Sequence, residues 1–117
     1  MPRLSTHVLD VSRGVAAAGV VIELHRVDRD GRHPVARAVT NADGRTDAPL
    51  ITGDVLEIGV YELTFHAGDY YRQAGVTLPE PPFLDAIVVR IGIADKTGSY
   101  HVPLLLSAFG YSTYRGT

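Results

Sequence analysis

The sequence predicts an all-β domain, a sandwich or barrel of short strands with one short helix. Three observations predict it: hydrophobic residues recur with a period of two, turn signals arrive at short and even intervals, and only one stretch departs from that pattern. A period of two puts alternate side chains on opposite faces of a strand, so each such segment has one dry face. With 45% hydrophobic and 21% charged residues, 117 residues supply one packed core and are read as a single domain, residues 1–117.

Residues 4–10 form a short β-prone run. Residues 14–22 are the most apolar run of the N-terminal part. Asp10, Ser12 and Arg13 precede it and Glu23 to Arg26 follow without a cleavage-like region, so it lacks the flanks of a secretory segment and reads as a strand. Val20, Ile22 and Leu24 then alternate with Val21, Glu23 and His25. Tyr61, Leu63 and Phe65 alternate in the same way with Glu62, Thr64 and His66. Ile87, Val89, Ile91 and Ile93 place a β-branched stripe on one side of a further strand. Tyr100, Val102, Leu104 and Leu106 do the same for the next. Asp28-Arg29-Asp30-Gly31, Asn41-Ala42-Asp43-Gly44, Gly53-Asp54, the proline-dense residues 79–82 and Asp95-Lys96-Thr97-Gly98 are turn signals between these segments. Residues 67–74 are the exception, a two-turn helix that Asp69 caps and Gly75 ends, expected to be the only one.

Composition excludes several functions. Lys+Arg 11 against Asp+Glu 13 gives a net charge of -2, with no excess of cations to neutralise a nucleic-acid backbone or an anionic membrane. Zero cysteines exclude disulfides, thiolate metal sites and a cysteine nucleophile. No apolar run approaches the roughly 20 residues of a membrane-spanning helix, and the C-terminal residues match no peroxisomal or lipidation signal; the expected compartment is the cytoplasm. Neither a P-loop nor a dinucleotide fingerprint, HExxH or GxSxG motif occurs.

Five histidines remain as candidates for proton transfer near neutral pH. His25 and His66 fall on polar strand faces and His33 lies beside a turn, which are solvated positions. His7 and His101 sit inside the strands and stay open between a hydrogen-bonded structural role and a catalytic one. Arg45 follows a tight turn that would deliver its guanidinium to one end of the fold, either solvated or holding an anion. Residues 111–117 carry two tyrosines, three small hydroxyl residues and an arginine, the composition of an ordered, binding tail. The off-core face of residues 100–107 reads His101, Pro103, Leu105 and Ser107, apolar enough for another subunit to cover or for Leu105 to stand as an isolated surface leucine.

Three motifs together carry a resemblance that spans nearly the whole chain: Leu4-Ser5-Thr6-His7-Val8-Leu9-Asp10, Thr40-Asn41-Ala42-Asp43-Gly44-Arg45, and Tyr100-His101-Val102-Pro103-Leu104-Leu105-Leu106-Ser107 running on through Gly110-Tyr111-Ser112-Thr113-Tyr114-Arg115-Gly116-Thr117. The sequence resembles the 5-hydroxyisourate hydrolases, or transthyretin-like proteins. Thr117 stands where the family's tail normally ends in serine, and Ala108 where many relatives have proline. The resemblance implies a β-sandwich of two four-stranded sheets with one short helix, assembled as a homotetramer with active sites at the dimer-dimer interface. It implies hydrolysis of 5-hydroxyisourate to 2-oxo-4-hydroxy-4-carboxy-5-ureidoimidazoline, without metal or organic cofactor. It assigns catalysis to His7, Arg45 and His101, and substrate binding to His7, Arg45, Tyr114 and Arg115, with Ser107 and Thr117 completing the site. Two alternatives stand beside it: a thyroid-hormone-type carrier of the same fold, whose known examples lack the tail and the histidine at position 7, and a metal-binding sandwich using His7 and His101.

Overall fold

The computed structural model describes residues 1–117, which form nine strands, one α-helix and one 3-10 turn. β1 (Arg3–Asp10) alternates strictly, burying Leu4, Thr6, Val8 and Asp10 and leaving Arg3, Ser5, His7 and Leu9 on the outer face. It pairs in parallel with β8 (Ser99–Leu106), in register from Arg3 opposite Ser99 to Asp10 opposite Leu106. β9 (Tyr111–Thr113) adds to the far side of β8. The near edge of β1 is shared by β2 (Val15–Ala16) at one end, an isolated bridge from Arg45 to His7, and β5 (Ile51–Thr52) at the other. This sheet therefore holds five strands, against the four expected, because its edge position is divided between two-residue strands.

The second sheet is four-stranded, in the order β4 (Gly31–Val39), β3 (Val21–Asp28), β6 (Gly59–His66), β7 (Ala86–Ile93), all antiparallel. The inner faces enclose a core of 22 buried hydrophobic residues, centred on Leu4, Ile22, Leu24, Leu63, Phe65, Leu104 and Leu106. Burying these side chains stabilises the sandwich by about 1.5–3 kcal/mol each before entropy is counted.

Residues 14–22 are not one strand. Gly19 takes φ +85° and breaks the run between β2 and β3. The buried Thr40 hydroxyl straps the bend, donating to the Ala17 carbonyl at 2.6 Å and accepting from the Val20 amide at 2.8 Å. β4 carries no alternating signal because it is an exposed edge strand interrupted by Pro34, a position where the ladder tolerates proline. The helix α1 (Ala67–Gln73) lies where expected and Gly75, at φ +81°, ends it. His66 rather than Asp69 occupies its N-cap; Asp69 sits in the first turn and accepts from Arg72. The 3-10 turn Gly53–Val55 is a second helical segment, at the place where the sequence marks only the turn signal Gly53-Asp54.

Candidate active site

One end of the outer face of the β1–β8 sheet gathers polar residues from four chain segments. Directly paired strand residues share a face, so the bridge to His7 puts Arg45 beside it, and the parallel register sets Ser5 beside His101. A second bridge lays Gly116 across His101, its amide donating to the His101 carbonyl at 2.8 Å. The result is a cleft of about 210 Å3 lined by Arg3, Ser5, Thr6, Arg45, Thr46, Pro49, His101 and Thr117. No helix of the chain is long and apolar enough to cross a membrane, and no three His, Asp or Glu side chains gather at metal-ligand spacing.

The loop carrying Arg45 is built by local hydrogen bonds. The Asn41 side-chain oxygen accepts from the Asp43 amide at 2.9 Å and the Arg45 amide at 3.3 Å, and the Gly44 amide donates to the Asn41 carbonyl at 2.9 Å. Gly44 has φ +75°, and a Cβ there would stand 2.3 Å from the Val8 carbonyl oxygen, so only glycine fits against β1. This loop also fixes His7. Nε2 of His7 lies 2.9 Å from the Asp43 carbonyl, which can only accept, so Nε2 donates and the neutral ring keeps its lone pair on Nδ1.

His101 is held differently. Its Nδ1 is 2.8 Å from the Ser5 hydroxyl, and its Nε2 has no partner in the chain. Burial and then the charges of Arg45, His7 and Arg3 push its pKa below the usual histidine value of 6.5, so the ring is neutral at pH 7. Gly116 presses on this ring so closely that a Cβ would come within 2.7 Å of Cδ2. Neither Arg3 nor Arg45 forms a salt bridge, and no carboxylate side chain lines the cleft.

The remaining sequence candidates lie elsewhere in the single chain. Arg115 stacks its guanidinium over the Tyr100 ring at 4.2 Å, and with Tyr114 lines a separate cavity of about 280 Å3, of which His101 is also a wall. Ser107 follows the far end of β8, six residues or about 20 Å from His101 by strand rise. Its hydroxyl donates to the Gly110 carbonyl at 3.0 Å. Within one chain the structure therefore brings Arg45, His101 and Thr117 to one cleft with His7 at its margin, but not Tyr114, Arg115 or Ser107. Sequence reasoning did not single out Ser5, Arg3 or the packing role of Gly116. Ser5 and Arg3 were legible in principle, since each shares a strand face with His7 at a spacing of two or four.

Two antiparallel-rich sheets, a single short helix between β6 and β7, and this polar outer face define the transthyretin-like class of sandwich. Residues 4–116 match the HIUase/Transthyretin family, and the chain belongs to that family. Among curated relatives it is 56% identical over 115 residues to the 5-hydroxyisourate hydrolase 2 of Rhizobium meliloti, covering 98% of this chain and 96% of the relative. Among solved structures it is similar to (S)-allantoin synthase, with 40% identity and a TM-score of 0.94. That match covers 99% of this chain but only 44% of the synthase, in which the same sandwich is part of a longer chain. It is also similar to sea bream transthyretin solved in complex with thyroxine, 29% identical with a TM-score of 0.86, over 97% of this chain and 94% of that one.

Proposed function

We propose that residues 1–117 act as one cytoplasmic hydrolase domain that opens 5-hydroxyisourate in purine breakdown, giving 2-oxo-4-hydroxy-4-carboxy-5-ureidoimidazoline. The observation that carries this reading is a neutral imidazole, His101, sharing one cleft with the unpaired guanidinium of Arg45. Hydrolysis at an acyl carbon-nitrogen bond needs a base for water and a cation for the oxyanion that develops on the carbonyl. In the tautomer whose Nδ1 donates to the Ser5 hydroxyl, His101 presents the Nε2 lone pair to a water; His7, whose lone pair is on Nδ1, is the second proton acceptor and positions that water. The water oxygen bonds to the acyl carbon, Arg45 holds the oxyanion, and collapse breaks the ring carbon-nitrogen bond as the proton passes to the leaving nitrogen. The new acyl group leaves as a carboxylate. Thr117 closes the cleft beside His101, its hydroxyl standing where the family usually has serine.

The assembly belongs to the same proposal: a homotetramer in which the outer β1–β8 face of each subunit meets another. His101, Leu105 and Ser107 are half-buried on that face and Pro103 is buried, a surface apolar enough to favour a covering subunit. Tyr114, Arg115 and Ser107 would then reach substrate in the assembled channel rather than within one chain.

The likeness to a thyroxine-bound transthyretin favours a carrier as the second reading. The cleft argues against it, because none of its lining residues is Val, Leu, Ile, Met or Phe. The test is an ultraviolet assay on 5-hydroxyisourate generated from urate by urate oxidase, with and without chelator. Chelator-resistant loss of substrate faster than its spontaneous decay is expected. No acceleration by the folded, assembled protein would reject the hydrolase reading and leave the carrier.

A further inference from the structure

We infer that Arg3 is a second anion-binding residue of the cleft, pairing with Arg45 to select a planar, carbonyl-rich ring that carries negative charge. The inference rests on the hydrolase reading for its substrate and on the geometry for its residue. Arg3, Ser5 and His7 occupy one face of β1 at successive steps of two, and Ser99, His101 and Pro103 the matching face of β8. His101 stands level with Ser5, one step from Arg3 on one side and one step from the His7–Arg45 pair on the other.

The two arginines thus flank the imidazole. About 13 Å of strand separates Arg3 from His7, a span that two long arginine side chains close around a bicyclic ring. The Arg3 stem is anchored: its amide donates to the Gly98 carbonyl at 3.2 Å and its Nε to the Ser99 hydroxyl at 3.3 Å. Neither terminal guanidinium nitrogen has a partner in the chain, and no carboxylate side chain lines the cleft to neutralise either arginine. An exposed arginine with its stem held and its fork free suits bidentate contact with an oxygen-bearing anion. Hydrolysis also creates a carboxylate in this cleft, so Arg3 serves product as well as substrate. Independently, the charge of Arg3 is among the causes that keep His101 neutral.

The experiment compares wild type with Arg3→Gln and Arg3→Lys at two ionic strengths, reading KM and kcat separately, with urate as a non-hydrolysed planar anion in a parallel equilibrium titration. Expected for Arg3→Gln is a KM about tenfold higher, kcat within about threefold, weaker urate binding by a similar factor, and a shallower salt dependence. Arg3→Lys should recover part of the KM. The acid limb of kcat/KM should also move upward in Arg3→Gln, as removal of a positive neighbour requires. Unchanged KM and unchanged urate affinity in a folded Arg3→Gln protein would overturn the inference. A wild type that binds urate but hydrolyses nothing would sink the hydrolase reading, and the urate titration of the variants would still decide the anion site.

Discussion

The two ends of β1 hold two polar clusters, and the way each treats its hydrogen bonds separates structure from chemistry. At the C-terminal end, fully buried Asp10 accepts from the Ser12 hydroxyl at 2.6 Å, the Arg13 amide at 3.2 Å, the Tyr70 hydroxyl at 2.8 Å and the Tyr71 hydroxyl at 3.1 Å. Every contact joins α1 or the turn after β1 to the sheet, and little capacity is left for a ligand. At the N-terminal end, the Nε2 of His101 and the guanidinium forks of Arg3 and Arg45 have no acidic partner. Both clusters lower a pKa, to opposite effect. Burial alone would raise Asp10, but its four hydrogen bonds outweigh that and keep it charged, whereas burial and neighbouring cations keep His101 neutral. Burial also pushes Tyr71 up to about 12, so its hydroxyl stays a donor to Asp10 across the working pH range.

The sharpest test exchanges the two readouts. His101→Ala should cut kcat/KM by a hundredfold or more, the scale of a lost general base, and leave the melting temperature within a few degrees of wild type. Asp10→Ala should do the reverse: it removes the acceptor of two buried tyrosine hydroxyls, costs about 3 kcal/mol, and lowers Tm by about 10 °C, with turnover per folded molecule near wild type. A stable Asp10→Ala protein, or a His101→Ala protein that melts early and works normally, would erase the division between the clusters.

The same division explains what could be read in the sequence. Period-two alternation marks β3, β6, β7 and β8, whose dry faces build the core; β1 reads only as a short β-prone run, and the pattern misses β4, which buries no residue completely. Residues 14–22 misled because hydrophobicity continues through Gly19 while the backbone turns, and the Thr40 strap that fixes the turn comes from far along the chain. At the site, His7, Arg45 and His101 could be singled out from their motifs. Their arrangement could not, since it depends on the parallel pairing of β1 with β8 and on bridges between residues distant in sequence. Asp10 carried no functional signal, and its role as the anchor of α1 follows only from tertiary contacts.

A smaller effect probes how tightly the tail must lie on the imidazole. Gly116→Ala brings a methyl to within 2.7 Å of the His101 ring and 3.3 Å of Pro103, so either the tail lifts or the ring tilts. Displacement of this order at a reacting group should lower kcat/KM by about tenfold, with Tm nearly unchanged because the tail lies outside the core. Equal activity in Gly116→Ala would mean the tail covers the cleft without positioning His101.

The gentlest perturbation is acid, because it leaves every side chain in place and changes only charge. His101 must be neutral to take a proton, so kcat/KM should hold through neutrality and fall as pH drops through a value below 6.5. Asp10 has a folded pKa below its ordinary 3.8, so its stabilisation is complete above that value and is lost only as pH falls further, through the folded value. Between these two limbs the protein should be folded and inactive, and returning it to pH 7 should restore activity without a refolding lag. Circular dichroism and turnover followed on one sample across that interval decide the point. Parallel loss of both signals would place one titration behind fold and chemistry alike, and the two ends of β1 would then be a single cooperative cluster.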